Sequence, residues 1–186
     1  MKLLLAATAA LMGATSLGAA RPQTAPAPQT PTLRTPDVIF VPTPPEVVDA
    51  MLDIAEVKDG DVLYDLGSGD GRIPIAAVKR AKVKATGIDI DPERIAEAKA
   101  NAQQQGVADR VTFRNADLFA EDFSDATVIT LYLLESLNEK LKPKLLALKP
   151  GTRIVSHAFT MGDWEPEETR EIDGRRIYFW RVPARD

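Results

Sequence analysis

A glycine-rich loop directly after an apolar strand places the strongest constraint on how this chain can fold. The sequence from Val62 reads VLYDLGSGDGR, so that Gly67, Gly69 and Gly71 stand at alternate positions. Glycine tolerates left-handed backbone conformations and leaves space for a ligand where a Cβ would stand. An apolar strand, a glycine-rich turn and a following helix are typical of parallel α/β folds that bind a nucleotide-like ligand at the strand's carboxyl end.

The spacing and the charge of this loop favour a cationic ligand over a dinucleotide. A dinucleotide fingerprint is G-x-G-x-x-G, whereas here Arg72 stands at the third glycine position and Gly71 comes one residue earlier. Asp65 and Asp70 add negative charge, which repels a pyrophosphate but suits an ammonium and a sulfonium group. S-adenosylmethionine carries both groups and is the predicted ligand. A tight turn without a ligand is the alternative for the loop taken alone.

Acidic residues follow each of the first three predicted strands. Asp65 ends the first strand, Asp89 ends the second, and Asp117 follows the third. Because ligands of open parallel sheets lie across the carboxyl ends of the strands, we expect these residues to line one crevice. Asp89 lies about 20 residues beyond the loop, where a carboxylate accepts hydrogen bonds from both ribose hydroxyls. Asp117 would accept one from the adenine amino group, and Asp65 would hold the methionine ammonium, directly or through water.

The order of the predicted elements indicates an α/β fold. Hydrophobic patterns predict strands at residues 61–66, 83–90, 110–114, 126–133 and 152–158. Helical spacing and caps predict helices at residues 44–55, 73–81, 92–105 and 137–148. Thr43 is the predicted N-cap of the first helix.

A hairpin signal ends the chain. Asp173-Gly174 lies between two strand-like runs, residues 164–172 and 175–182. Five strands connected largely by helices, followed by this hairpin, predict a doubly wound, mainly parallel, Rossmann-like sheet of seven strands that ends in an antiparallel hairpin.

The first 42 residues differ in composition from the rest of the chain. Lys2 precedes an apolar run over residues 3–20, which is typical of a secretory signal cleaved after Ala20. An uncleaved membrane anchor and translation from Met12 are the alternatives, so the protein is expected to be exported or membrane-anchored, or cytoplasmic if it starts at Met12. Residues 21–42 are rich in proline, which predicts an extended linker. The globular domain is therefore assigned to residues 43–186.

Composition excludes several classes of function. The chain has 186 residues, a formal net charge of −4 and no cysteine, which excludes disulfides and cysteine nucleophiles. Its charge lacks the basic footprint of a nucleic-acid-binding protein, and we expect no nucleic-acid partner. His157 is the only histidine, and zinc sites usually need several Cys or His ligands. We therefore predict no metal site, with a magnesium or calcium site made of carboxylates alone as the alternative, and we expect a structural, hydrogen-bonded role for His157.

These motifs resemble the class I, seven-strand S-adenosylmethionine-dependent methyltransferases. The resemblance covers about residues 43–183 and rests on the glycine loop, the strand end at Asp89, the step to Asp117, the LKPG turn before the fifth strand and the closing hairpin. It implies that the ribose of S-adenosylmethionine binds Asp89 and the adenine binds Asp117. The predicted cofactor-binding residues of the loop are Asp65, Gly67, Ser68, Gly69 and Gly71.

A narrower resemblance points to bacterial relatives of the lysine methyltransferases that modify the c-ring protein of the mitochondrial ATP synthase. It rests on FVPTP at residues 40–44, DLGSGDGRI at 65–73 and LYLL at 131–134. It implies a protein lysine as the methyl acceptor and membrane association through the N-terminal segment. Tyr132 is the candidate catalytic residue, because its ring face can stabilise a cationic methyl donor or a target ammonium. A tyrosine buried in the core is the alternative.

Two functions of different classes are compatible with the sequence. The first is an S-adenosylmethionine-dependent methyltransferase, which the glycine loop and the three strand-end aspartates predict. The second is an exported binding or scaffold domain that keeps the fold without turnover, because the methyl donor is made in the cytoplasm. The glycine spacing and Asp65 disfavour a nicotinamide-dependent reductase.

Overall fold

The structure is a computed structural model that describes Leu33, Thr35 and residues 39–185. The predicted signal segment, residues 1–20, lies outside the described residues, as does most of the predicted linker, residues 21–42. None of the helices formed by the described residues combines the length and the apolar character needed to cross a bilayer.

Helices and strands alternate along the described chain. The strands are β1 (Val62–Leu66), β2 (Lys84–Asp89), β3 (Val111–Asn115), β4 (Val128–Leu131), β5 (Arg153–His157), β6 (Glu168–Ile172) and β7 (Arg175–Arg181). The helices are α1 (Pro45–Ile54), α2 (Arg72–Arg80), α3 (Pro92–Gln104) and α4 (Glu135–Leu146).

The seven strands form one sheet with the order β3-β2-β1-β4-β5-β7-β6. Neighbouring strands from β3 to β5 are parallel, whereas β7 pairs antiparallel with both β5 and β6. Asp173 and Gly174 both have positive φ, 49° and 75°, as a two-residue hairpin turn of this kind requires. The predicted doubly wound sheet with a C-terminal hairpin is confirmed.

Two apolar clusters cover the two faces of the sheet. Helices α1, α2 and α3 contribute to the first cluster, for example through Val47, Ile75 and Ala98. Helix α4 contributes to the second cluster, where Leu141 packs with Phe123 from the β3–β4 connection. Strands β1 and β4 are buried almost throughout, because parallel strands between two layers are covered on both faces.

The main corrections to the prediction concern where elements begin. Helix α1 begins at Pro45 with Pro44 as its N-cap and no side-chain cap, so the assignment of Thr43 as N-cap was wrong. The hydroxyl of Thr43 instead lies 3.2 Å from Nδ1 of His157. Strand β6 begins at Glu168, later than predicted, and Trp164 forms only an isolated bridge with Met161. Helix α3 does have a side-chain cap, since the Asp91 carboxylate accepts from the Glu93 amide at 2.8 Å.

A buried ion pair joins three elements at the end of the sheet away from the strands' carboxyl termini. Arg153 donates to Asp61, and their side chains are only 8% and 6% exposed. Arg153 also donates to the carbonyls of Ala55 at 2.8 Å and Glu56 at 2.9 Å. Thr127 donates to the Asp61 carboxylate at 2.8 Å. The pair therefore satisfies its hydrogen bonds while it ties the end of α1 to β5 and to the turn before β1.

Replacement of Asp61 by Asn should destabilise the fold strongly. The variant leaves the Arg153 guanidinium buried without its counter-charge, which costs roughly 3–5 kcal/mol of unfolding free energy. Urea unfolding followed by circular dichroism measures the loss. The control is Arg80→Gln, which removes the exposed ion pair with Asp53 and should cost less than about 1 kcal/mol. Equal losses in the two variants would contradict the structural role of the buried pair.

Candidate functional site

A cavity of about 480 Å³ opens at the carboxyl ends of the central strands. Its volume lies within the range that is usual for small-molecule sites. Six of the predicted site residues line it: Asp65, Gly67, Ser68, Asp89, Asp117 and Tyr132. The structure thus brings together residues from four segments that are far apart in the sequence. Gly69 and Gly71 are not among the lining residues.

The glycine loop is attached to β2 through its own backbone. The amides of Gly67 and Ser68 both donate to the carbonyl of Ile88, at 2.9 and 3.0 Å. Gly67 has a φ of +83°, and a Cβ at this position would lie 2.7 Å from the Leu133 side chain. Glycine is therefore required both for the turn and for the close approach of Leu133, which forms one wall of the cavity.

Gly69 and Gly71 have different neighbours. The amide of Gly69 donates to the Asp89 carboxylate at 2.8 Å, and a Cβ on Gly69 would lie 2.2 Å from the Phe40 ring. A Cβ on Gly71 would lie 2.5 Å from the Phe113 ring. The structure thus gives Gly71 a role in packing the loop against β3, and the contact of these two glycines with the methionine part of a ligand stays a prediction.

Asp65 is a buried carboxyl at the end of the central strand β1. Its side chain accepts a hydrogen bond from Thr130 at 2.7 Å, and the residue is only 2% exposed. Burial is the main cause that raises the pKa of Asp65 to about 8; the Thr130 hydrogen bond opposes the rise, and the neighbouring carboxylates Asp89 and Asp70 add to it. An uncompensated carboxyl at this position is therefore mainly protonated at pH 7.

The charge of Asp70 is balanced inside the loop. Arg72 donates to its carboxylate from Nε at 2.9 Å and from Nη2 at 2.5 Å. The sequence alone suggests that Asp65 and Asp70 both supply negative charge to the loop. The structure modifies that interpretation, because Asp70 is paired and burial favours the neutral form of Asp65.

Asp89 is oriented by backbone amides at the end of β2. One carboxylate oxygen accepts from Gly69, and the other accepts from Asp91 at 2.9 Å. A carboxylate has about four acceptor positions, so Asp89 retains the capacity to accept two ribose hydroxyls. Asp117 is fixed similarly, since it accepts from the Phe119 amide at 3.0 Å.

Ser68 of the glycine loop lines the cavity beside an apolar wall. Among the described residues, no group forms a hydrogen bond with the Ser68 hydroxyl, although its oxygen is buried and Ser68 lines the cavity. Buried polar atoms rarely lack a partner, and this oxygen lies against β2, since a Cβ on Gly87 would be 2.7 Å from it. Ile90, Leu118 and Phe119 give the same cavity an apolar wall next to Asp89 and Asp117. These features fit a ligand with a ribose, an aromatic base and a polar chain, as in S-adenosylmethionine.

Tyr132, which lines the cavity, belongs to a small cluster of aromatic rings. The ring of Tyr132 lies 3.9 Å from that of His157 and 6.4 Å from that of Phe159, between centroids. Burial, followed by the positive charge of Arg175, lowers the pKa of His157 to about 4. His157 is therefore neutral at pH 7, and its contact with Thr43 agrees with the expected structural role.

Several lining residues have no signal in the sequence that marks them as part of a site. Ile39, Phe40 and Val41 line the cavity, although they lie within the predicted linker. Arg94 lines it as well, with its guanidinium carbon 5.1 Å from the Phe40 ring centroid. The FVPTP motif marked Phe40 as part of a resemblance, but the proline-rich composition around it concealed its place in the site.

Comparison with known proteins adds relatives by sequence. The family model for the ANTKMT methyltransferase domain matches residues 65–168. A protein-lysine N-methyltransferase of Saccharolobus islandicus is 50% identical over 140 residues, which cover 74% of this chain and 87% of that protein. The adenine nucleotide translocase lysine N-methyltransferase of Mus musculus is 32% identical over 120 residues, which cover 64% of this chain but only 52% of the mouse protein.

A solved structure adds a relative by shape. An RNA methyltransferase from Salinibacter ruber, in complex with S-adenosyl-L-homocysteine, superposes with a TM-score of 0.76 at 52% identity. The match covers 78% of this chain and 96% of that one. It extends beyond the residues of the cavity to nearly the whole of the described fold.

The buried state of Asp65 predicts a specific pH dependence of stability. The unfolded chain ionises Asp65 near pH 4, whereas the folded protein holds the proton up to a pKa of about 8. Stability contributed by this group is therefore present at low pH and falls as the pH rises through this interval. Relative to wild type, an Asp65→Asn variant should gain stability between pH 4 and 8, by up to about 1.4 kcal/mol per pH unit.

Urea unfolding at a series of pH values tests this expectation. The exposed substitution Asp109→Asn serves as the control and should leave the slope of stability against pH as in the wild type. Parallel pH profiles for the wild type and Asp65→Asn would show that Asp65 is ionised in the folded protein.

Proposed function

Because the chain belongs to the ANTKMT methyltransferase domain family, we propose that this S-adenosylmethionine-dependent methyltransferase modifies lysine side chains of proteins. The predicted resemblance to class I methyltransferases is confirmed, and a non-catalytic scaffold is not favoured. The observation that carries the proposal is the convergence of Asp65, Ser68 and Asp89 on one cavity. The lysine acceptor is supported by the activity named for the 50% identical relative from Saccharolobus islandicus.

The proposed donor position follows from the polar groups of the cavity. Asp89 would accept the ribose hydroxyls, and Asp117 would accept the adenine amino group. The methionine ammonium would lie towards Asp65. The cationic ammonium would compensate the buried carboxylate, which otherwise favours its neutral form.

The chemistry requires alignment and exclusion of water more than acid–base catalysis. When bound, S-adenosylmethionine supplies a methyl group on a sulfonium, which is already a good leaving group. The chain's contribution is to hold the acceptor amine in line with that methyl group and to keep water out. Leu133 and Leu137 line the cavity beside Tyr132 and provide apolar walls for this purpose.

A lysine must lose its proton before it can accept the methyl group. His157 does not serve as the base, because it is buried against Thr43 and its pKa is lowered to about 4. We propose that the lysine loses its proton to solvent as it enters. The Tyr132 ring face would stabilise the cationic methyl donor. Tyr132 is thus the proposed residue on the acceptor side.

RNA is the second candidate acceptor, because the Salinibacter ruber relative is named an RNA methyltransferase. The charges around the cavity oppose it. Both lining arginines are already paired, Arg72 with Asp70 and Arg94 with Glu97. A phosphate backbone would also meet a chain with a net charge of −4. The proposal therefore favours protein over RNA.

Transfer of a labelled methyl group to a cell lysate tests the acceptor. We expect label in macromolecules that resist ribonuclease and are lost with protease, and acid hydrolysis should release methylated lysine. Label that is lost with ribonuclease would instead assign RNA as the acceptor. Absence of label from every fraction would contradict the proposed activity.

Substitution of Tyr132 by Ala should lower kcat/KM roughly tenfold, the scale of a partly desolvated cation–π contact. Tyr132→Phe keeps the ring face and should retain most of the activity. Tyr178→Ala is the matched control, because Tyr178 lies on β7 and is not among the residues that line the cavity. Equal losses for Tyr132→Ala and Tyr178→Ala would argue against a specific role for Tyr132.

We further propose that residues 1–20 direct the enzyme to a membrane. The support is the charged start and the apolar run, which the described part of the chain does not include. Mass spectrometry of the natural protein gives its first residue and tests this. A start at Met1 in the membrane fraction would indicate an anchor, and a start at Arg21 would indicate export. A start at Met12 would contradict the proposal.

A further inference from the structure

The segment at residues 39–43, shortly before helix α1, lines the cavity. Ile39, Phe40, Val41 and Thr43 all line the cavity, and the segment belongs to no helix or strand. We refer to residues 39–43 as the N-terminal strap. The strap is apolar at its surface, since Ile39 is 86% exposed and Phe40 is 41% exposed. Its position next to the loop suits it to cover a bound ligand.

Phe40 is held against the glycine loop from two sides. The ring lies so close to Gly69 that a Cβ there would be 2.2 Å from a ring carbon. The guanidinium of Arg94 also lies 5.1 Å from the ring centroid, within the range of a cation–π contact. The position of the Phe40 ring therefore depends on the strap being held at a fixed distance from the glycine loop.

Arg72 provides the hydrogen bond that holds the strap at this distance from the glycine loop. Its Nη1 donates to the backbone carbonyl of Thr43 at 2.8 Å. Its Nε and Nη2 donate to both oxygens of Asp70, so one planar guanidinium joins the strap to the loop. The Asp70 side chain is only 11% exposed and the Arg72 side chain 33%. A lysine in this place could not form the three bonds together, because its ammonium lacks the fork geometry.

The strap has a second attachment on the aromatic side of the cavity. The hydroxyl of Thr43 lies 3.2 Å from Nδ1 of His157, and the His157 ring packs against Tyr132. Thr43 is thus held by its carbonyl through Arg72 and by its side chain through His157. The strap connects the donor side of the cavity to the proposed acceptor side.

We propose that Arg72 is a positioning residue, which holds the N-terminal strap across the methyl-donor site so that Phe40 forms a wall of that site. Arg72 acts through Thr43 and the strap, and the reacting atoms need not touch it. This inference rests on the donor site of the proposed function but not on the identity of the acceptor. It also assigns residues 39–43 to the catalytic domain.

A double-mutant cycle in the full-length protein tests the inference. Binding of S-adenosyl-L-homocysteine by calorimetry is the readout, so that no acceptor is needed. We expect Phe40→Ala and Arg72→Gln each to raise the Kd roughly tenfold. Because both substitutions remove the same wall, the double variant should also raise the Kd roughly tenfold. Independent effects would instead multiply to a rise of roughly a hundredfold.

Two further variants separate positioning from general stability. Arg80→Gln lies on the same helix and breaks an exposed ion pair with Asp53, so it should leave the Kd unchanged. Phe40→Leu keeps an apolar wall and should recover part of the affinity. Hydrogen exchange adds an independent readout, since the ligand should protect the strap amides in the wild type but not in Arg72→Gln.

Multiplying effects in the cycle, or an unchanged Kd in Arg72→Gln, would overturn the role of Arg72. An equal loss of affinity in Arg80→Gln would show that Arg72→Gln acts only through a general effect on helix α2. Failure of the wild type to bind the ligand would be a different result, because it would remove the donor site itself and with it the proposed function.

Discussion

The burial of a carboxyl at the end of the central strand is the constraint on which the rest of this site depends. Strand β1 lies between β2 and β4, and Asp65 is in register with Gly87 on one side and Thr130 on the other. Thr130 supplies a hydrogen bond to the carboxyl. Gly87 leaves space for Ser68, because a Cβ there would lie 2.7 Å from the Ser68 hydroxyl. The sheet register thus prepares the environment of the loop before any ligand contact is considered.

The glycine loop then brings together elements that are distant in the sequence. Leu133, Phe40 and Phe113 each occupy the space that a Cβ on a different glycine would take. These three side chains come from the β4–α4 connection, the strap and β3. The three closely spaced glycines therefore allow three close side-chain contacts as well as a tight turn. For this reason one local motif carries much of the information about the fold.

The parts of the molecule that the sequence predicts well are those with local signals. Strands such as Val128–Leu131 are continuous apolar runs, and Asp173-Gly174 is a two-residue turn signal, so both could be identified without tertiary information. The three strand-end aspartates follow from the rule that parallel strands share one functional edge. The structure places Asp65, Asp89 and Asp117 at one cavity, as that rule predicts.

The parts that the sequence did not predict depend on contacts between distant residues. The hydroxyl of Thr43 lies against His157, which is 114 residues away, and the bond from Arg72 to the Thr43 carbonyl spans 29 residues. Neither contact has a local pattern, and the prolines around Phe40 indicate a linker when they are considered by composition alone.

The charges around the cavity suit a cationic ligand. The reason is how each carboxyl is compensated, not how many acidic residues there are. Asp70 is compensated by Arg72, so it adds little to the field at the ligand. Asp65 has no cation among the groups that shift its pKa, and two carboxylates raise it. An approaching pyrophosphate would raise that pKa further, whereas an ammonium would lower it and recover an ion pair in a site shielded from water. The proposed preference for a cationic ligand therefore rests on one buried carboxyl that no cation of the described chain compensates, and it does not depend on how acidic the protein's surface is.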